Sequence, residues 1–344
     1  MKKPTDLQQA AKSARAEGRF TAAAGTYEEL AGCLEDPSPA LLRAALCAAL
    51  SGSLNETARL FDSFFWAAKR PSFANLNDLL SLYHQTGQQE RVAEAVDRLL
   101  LRQSDGQGQQ RKRRQVMVFA LPKSAGTSVV QTLASTIGVP HVASGSDDPR
   151  TPGYSAPLLE PRLLERLSER GLLHQTHALP WKENLEQIQQ HSSSRIIVHL
   201  RDPRDALLSY YYMAEKYELH RLRLLLLYPD YDQLDPPARM ELLSRTVYPV
   251  FLEWITGWVA AADIIGDKAR VTTFESFKQD PETFFRQLTF FLSSRDLPLA
   301  PVKKTHFRKG QSGQTDDPLM PPEIREDLYG AIPVELARRF GWEI

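Results

Sequence analysis

The chain is poor in cysteine, in net charge and in long apolar runs, and each shortage removes a class of explanation. Only Cys33 and Cys47 occur in 344 residues. Both sit in apolar helical patterns and are expected to be buried; two isolated thiols build neither a disulfide framework nor a zinc site. Lys and Arg together number 42, and so do Asp and Glu, so no whole-molecule field steers the protein to nucleic acid or to an anionic membrane. Any anion must be gripped by a local cluster. The most apolar run, Leu222–Tyr228, falls far short of the roughly 20 residues that span a bilayer. Lysines at the start are followed by no apolar stretch, which argues against a signal peptide. The expectation is a cytoplasmic protein with no nucleic-acid partner and no membrane span.

What is present divides the chain in three. Residues 1–103 are rich in Ala, Leu, Glu and Gln and read as all-helical. Gly18, Gly52 and Gly87 recur at intervals of 34 and 35 residues, and nine positions after each stands an apolar residue, Tyr27, Phe61 or Val96. That period and the glycine–turn–helix layout resemble tetratricopeptide repeats, which stack helix pairs into a solenoid. Residues 104–115 are polar, then basic (RKRR), and read as a linker whose charges face water. From 116 to 344 the texture is α/β. Apolar runs at 116–121, 171–176, 195–200 and 269–274 read as buried strands. Helical patterns at 126–137, 203–217 and 281–292 follow three of them. Strands alternating with helices predict a parallel sheet flanked by helices, whose ligands sit at the carboxyl ends of the strands.

Three of those strand ends carry chemistry. LPKSAGTSVV follows the first strand and turns into a helix, so backbone N–H groups and the positive end of the helix dipole converge on an anion. Lys123 adds a cation, and Thr127 and Ser128 add hydroxyl donors. The nucleoside-triphosphate loop places its lysine after the glycines; here Lys123 precedes Gly126. In RIIVHLRDPRDALLSYYYM, Asp202 caps a helix, Pro203 suits its first position and Asp205 completes a capping-box-like arrangement. Arg201 stands at the strand's end, where a guanidinium can hold a phosphate bidentately, and Ser209 can share that phosphate. HQTHALP places His177 just beyond a strand end. His199, inside a strand, reads as structural, and His174 faces away from His177.

Taken together, LPKSAGTS, HQTHALP, RIIVHLRDPRDALLSYYYM, VTTFESFKQDPETFFRQLTFFL and HFRKGQSG resemble the nucleotide-dependent sulfotransferase family, in the family's order and across residues 116–313. The resemblance implies a P-loop-like sulfotransferase fold and the donor 3′-phosphoadenosine 5′-phosphosulfate (PAPS), with no metal required. It assigns the 5′-phosphosulfate to Lys123, Ser124, Ala125, Gly126, Thr127 and Ser128. It assigns the 3′-phosphate to Arg201, Ser209, Arg308, Lys309 and Gly310, and adenine to Phe274. It implies that His177 is the general base and that Lys123 stabilises the leaving phosphate. The acceptor is then a hydroxyl, or an amine, on a small molecule, carbohydrate or carrier.

The chain departs from the family pattern in several places. A lysine of the family's Lys-Thr-His triplet is Gln175 here, a frequent tryptophan is Val129, Ala125 is an extra loop residue, and Gly313-Gln314-Thr315 replaces Gly-Asp-Trp. Some relatives use a glutamate base, so Glu183 and Glu160 stand as alternatives to His177. Two other classes stay open: a small-molecule kinase, and a nucleotide-binding adaptor whose repeats bind a protein or a second copy.

Overall fold

The computed structural model describes residues 3–67, 79, 82–83, 86–88, 90–91, 94–95, 115–143, 154, 157–159, 164, 173–190, 195–217, 224, 228, 230–303, 317 and 319–343. The chain divides into two compact units, Met1–Asp105 and Gly106–Ile344.

The first unit is helical. Helices α1 (Pro4–Ala16), α2 (Phe20–Ala31), α3 (Ser38–Leu50) and α4 (Leu54–Ala67) pack in sequence, each against the next. Small residues let them close in: Ala11, Ala23, Ala44 and Ala58 are fully buried, with Tyr27 and Phe61 filling the remaining space. The three glycines of the 34/35-residue spacing share one backbone state, φ +73° at Gly18, +79° at Gly52 and +72° at Gly87. A side chain in that region is strained, so glycine closes each turn. Val96 lies outside the described residues, as does all of the linker except Gln115. Cys47 is buried as expected, but Cys33 is only half-buried, beyond the end of α2 with its Sγ 3.5 Å from the Glu29 carbonyl. It stands in the turn, not on the helix face that the apolar pattern suggested.

The second unit is an α/β domain around a five-stranded, wholly parallel sheet. Its strands are β1 (Val116–Ala120), β2 (His141–Ala143), β3 (Leu173–Thr176), β4 (Arg195–Leu200) and β5 (Ala269–Thr273), in spatial order β2-β3-β1-β4-β5. Both faces are covered. On one, Val116 and Val118 of β1 and Ile197 of β4 meet α5 (Gly126–Ile137), α10 (Phe274–Gln279) and α11 (Pro281–Ser293), in a core with Leu133, Phe284, Phe285 and Leu288. On the other, Phe119 stacks on Trp258 of α9 (Tyr248–Ile265), ring centroids 3.8 Å apart. Beside α9 lie α7 (Pro203–Lys216) and α8 (Pro236–Thr246); α6 (Lys182–Gln190), α12 (Pro322–Gly330) and α13 (Val334–Phe340) are further helices of this unit. The stretch Pro236–Lys268 is long and apolar enough by composition to cross a membrane. Here α9 turns Phe251, Trp254, Ile255 and Trp258 into the protein core.

The chain leaves β1 toward β2 on one side and leaves β4 toward β5 on the other. Neighbouring strands β1 and β4 therefore splay their outgoing connections, and the crevice at their carboxyl ends is the place where such sheets bind ligands.

Candidate functional site

The loop after β1 is built to expose donors. Leu121 N–H bonds the His199 carbonyl and Ser124 N–H bonds the Leu121 carbonyl, which folds the chain back sharply. Lys123 (φ +68°) and Ala125 (φ +66°) both occupy the left-handed region, a conformation that costs a non-glycine residue roughly 1–2 kcal/mol. Two carbonyls of the turn are pulled back toward β4: Arg201 Nη1–H donates to Lys123 O at 3.2 Å and His199 Nε2–H to Ser124 O at 2.8 Å. The N–H groups of Lys123, Ala125, Gly126 and Thr127 then find no partner among the described residues. They open at the amino end of α5, which forms an anion cradle. Gly126 permits it, since a Cβ there would stand 2.6 Å from Ala120 Cβ and 3.0 Å from Gln175 Nε2. The neutral amide of Gln175 thus lies against the cradle.

Burial pushes Lys123 down from 10.5 to about 8, with the charges of Arg201 and Lys216 adding to the effect. Lys123 therefore lies in the field of two further cations. Lys216, in the last turn of α7, was not singled out from the sequence, because only the tertiary fold brings that turn near Lys123.

Arg201 is 93% buried, its surface 7% exposed. Its Nη2 is 3.4 Å from Asp205 and its guanidinium lies 4.4 Å over the Phe274 ring, while Nε is buried without a hydrogen-bond partner among the described residues. Phe274 is therefore a core residue that supports the arginine, leaving little of its ring for adenine. Asp202 caps α7 through Arg204 N–H at 2.9 Å, as expected. The capping-box expectation for Asp205 fails: Glu275 accepts the Asp202 N–H at 3.1 Å, and Asp205 turns to Arg201 instead. Ser209 is half-buried one helical turn after Asp205, on the same face of α7.

The two loop serines differ from their expected role. Ser124 is fully buried, its Oγ unpartnered among the described residues. Ser128 is also fully buried, and its hydroxyl donates to the Lys303 carbonyl. Its backbone N–H bonds the Ala125 carbonyl, so Ser128 anchors the turn where the sequence suggested a free donor. Thr127 is exposed at the cradle. Arg308, Lys309 and Gly310 lie outside the described residues, as does Glu160.

His177 stands directly past β3. Its Nδ1 is 2.6 Å from the Ala120 carbonyl. A carbonyl can only accept, so Nδ1 carries the proton and Nε2 presents a lone pair. The residue keeps some exposed surface, yet surrounding protein atoms push the ring's proton affinity below 6.5, and the charge of Lys123 lowers it further. The imidazole is neutral at pH 7 and poised to accept a proton beside a cation. Glu183 is exposed in the first turn of α6. His199 is a fully buried brace, held near 4 by desolvation and so neutral, with Nδ1 3.0 Å from Thr272 Oγ1.

No family profile matches this chain, and no curated protein matches it. A solved structure described as "Crystal Structure of Sulfotransferase from Alicyclobacillus acidocaldarius" is similar at 16% identity and a TM-score of 0.41. The match covers 67% of this chain and 97% of that one.

Proposed function

We propose that the chain is a sulfotransferase that moves a sulfuryl group from PAPS to an acceptor hydroxyl. One observation carries this reading: a neutral histidine with its Nε2 lone pair presented lies within electrostatic reach of a half-buried lysine in an anion cradle. The residues fit such a donor. Unpartnered N–H groups at the α5 terminus suit a sulfated phosphate, and the orphaned Nε of Arg201 suits a further phosphate oxygen. Nε2 of His177 takes the acceptor's proton as its oxygen bonds to sulfur. The bond from sulfur to the bridging phosphate oxygen breaks, and Lys123 meets the charge that develops there. His177 is the base in this scheme, and Glu183 lies exposed in the first turn of α6.

The repeats of the first unit serve a protein partner or a second copy, and the protein works in the cytoplasm. Calorimetry with 3′-phosphoadenosine 5′-phosphate (PAP) and with AMP tests the donor assignment. Loss of a multiply bonded phosphate should weaken binding by on the order of 3 kcal/mol, roughly a hundredfold. Equal affinity for the two nucleotides overturns it.

A further inference from the structure

The segment bearing His177 is held with unusual completeness, and helix α9 does much of the holding. Tyr154 Oη–H donates to the His177 carbonyl at 2.6 Å, and Ala178 N–H bonds Thr176 Oγ1 at 3.0 Å. Leu179 N–H bonds the Pro157 carbonyl at 2.8 Å, and its own carbonyl accepts from Asn184 Nδ2 at 2.7 Å. The remaining carbonyl, that of Ala178, takes the indole N–H of Trp258 at 2.7 Å. That indole is fully buried and stacked on Phe119 of β1. One residue earlier on α9, Gly257 lets the helix approach so closely that a Cβ would fall 2.2 Å from Pro180 Cγ and 2.9 Å from Pro180 Cβ. The turn is thus clamped between β1 and α9.

From this geometry we infer that Gly257 and Trp258 are positioning residues for the His177 imidazole. This rests on the reading of His177 as the base. Among the described residues, the bond from Nδ1 to Ala120 O sets the ring's tautomer, and it spans β1 and the turn. Whatever moves the turn relative to β1 alters that bond. A methyl at position 257 must displace Pro180 Cγ, 2.2 Å away, by roughly 1.3 Å or more to reach ordinary carbon contact near 3.5 Å. A shift of that size at a catalytic group costs up to roughly a hundredfold in rate.

Two measurements on the full chain test the inference. In nitrogen-resolved NMR of protein labelled with 15N-histidine, with the signal assigned by its loss in His177→Gln, wild-type His177 should show a protonated Nδ1 and an unprotonated Nε2. Gly257→Ala should shift or mix those states. Consumption of PAPS should fall roughly tenfold to a hundredfold in Gly257→Ala, with PAP affinity unchanged. In a His177→Ala background the same substitution should cost nothing further, because the two changes act through one group. Trp258→Phe keeps the ring on Phe119 but removes the indole bond, and should act in the same direction, several-fold; it decides the matter if Gly257→Ala does not fold. An unaltered His177 signal in both variants overturns the inference. So does a full additional loss in the His177→Ala background. If His177→Ala itself leaves PAPS consumption untouched, the assignment of the base falls while the NMR result still decides whether α9 positions the ring.

Discussion

Lys123 offers the sharpest test of the cradle, because it sets ligand binding against stability. Its ammonium is buried among like charges, which lowers it from 10.5 to about 8. Below pH 8 the folded protein carries that charge in an unfavourable place, a penalty of roughly 3 kcal/mol at most. Between pH 8 and 10.5 the unfolded chain still holds this proton and the folded protein does not. The unfolded state binds more protons there, so stability rises with pH and the penalty fades. Lys123→Met keeps the left-handed backbone state and the bulk but removes the charge. The variant without nucleotide should therefore be more stable than wild type at pH 7, by up to about 3 kcal/mol or roughly 5–10 °C in the melting of the second unit. Its stability should lack the wild-type gain between pH 8 and 10.5. The stabilisation conferred by PAP should largely vanish, since the cation that answers the phosphate is gone. Differential scanning fluorimetry across pH 6–10, with and without PAP, reads all three. A Lys123→Met protein that is less stable than wild type refutes the argument that the charge is held at a cost for an anion.

Three further outcomes are expected. His177→Ala should lower turnover by roughly a hundredfold to ten-thousandfold with nucleotide affinity unchanged, while His174→Ala alters stability only. Because His177 is held below 6.5, the wild-type rate should persist at pH 6.5 and decline only on further acidification, as the imidazole takes up a proton; rate measurements from pH 5 to 8 check this. Ala125→Gly removes strain at φ +66° and should raise the second unit's stability by about 1 kcal/mol in urea unfolding. A chain beginning near Arg111 should fold and bind PAP, as judged by circular dichroism and calorimetry; an insoluble product would show that the two units depend on each other.

The features legible in the sequence are those with a local cause. Parallel strands buried on both faces appear as unbroken apolar runs, which is why RIIVHL marks β4 to the residue and why α5 begins at Gly126. Asp202 followed by Pro203 marks the start of α7 for a similarly local reason. The short edge strand β2 (HVA) carries too little pattern to be read. Helix α9 (YPVFLEWITGWVAAADII) is apolar on most of its circumference and lacks a side-chain cap, so neither periodicity nor boundary announces it. Site details that depend on distant partners were also illegible. Ser128 turns to Lys303, Glu275 takes the donor at the start of α7, and Lys216 reaches the field of Lys123, each across a long sequence separation. Catalytic residue types at strand ends are visible in a linear pattern, but the contacts that orient them are not.

The crowding around Gly126 carries a consequence for how such a site can change over time. Its missing side chain, the methyl of Ala120 and the amide of Gln175 share one small volume at the mouth of the cradle. No one of the three positions is free to drift alone. A longer residue at 120 closes the approach of α5, and a branched one at 175 forces the helix off the sheet. Any residue but glycine at 126 requires both neighbours to shrink. Replacement of Gln175 by lysine adds length and charge together, so it calls for a compensating change at 120 or an altered loop. Across chains that share this cradle, the identities at these three positions should therefore be inherited as a set.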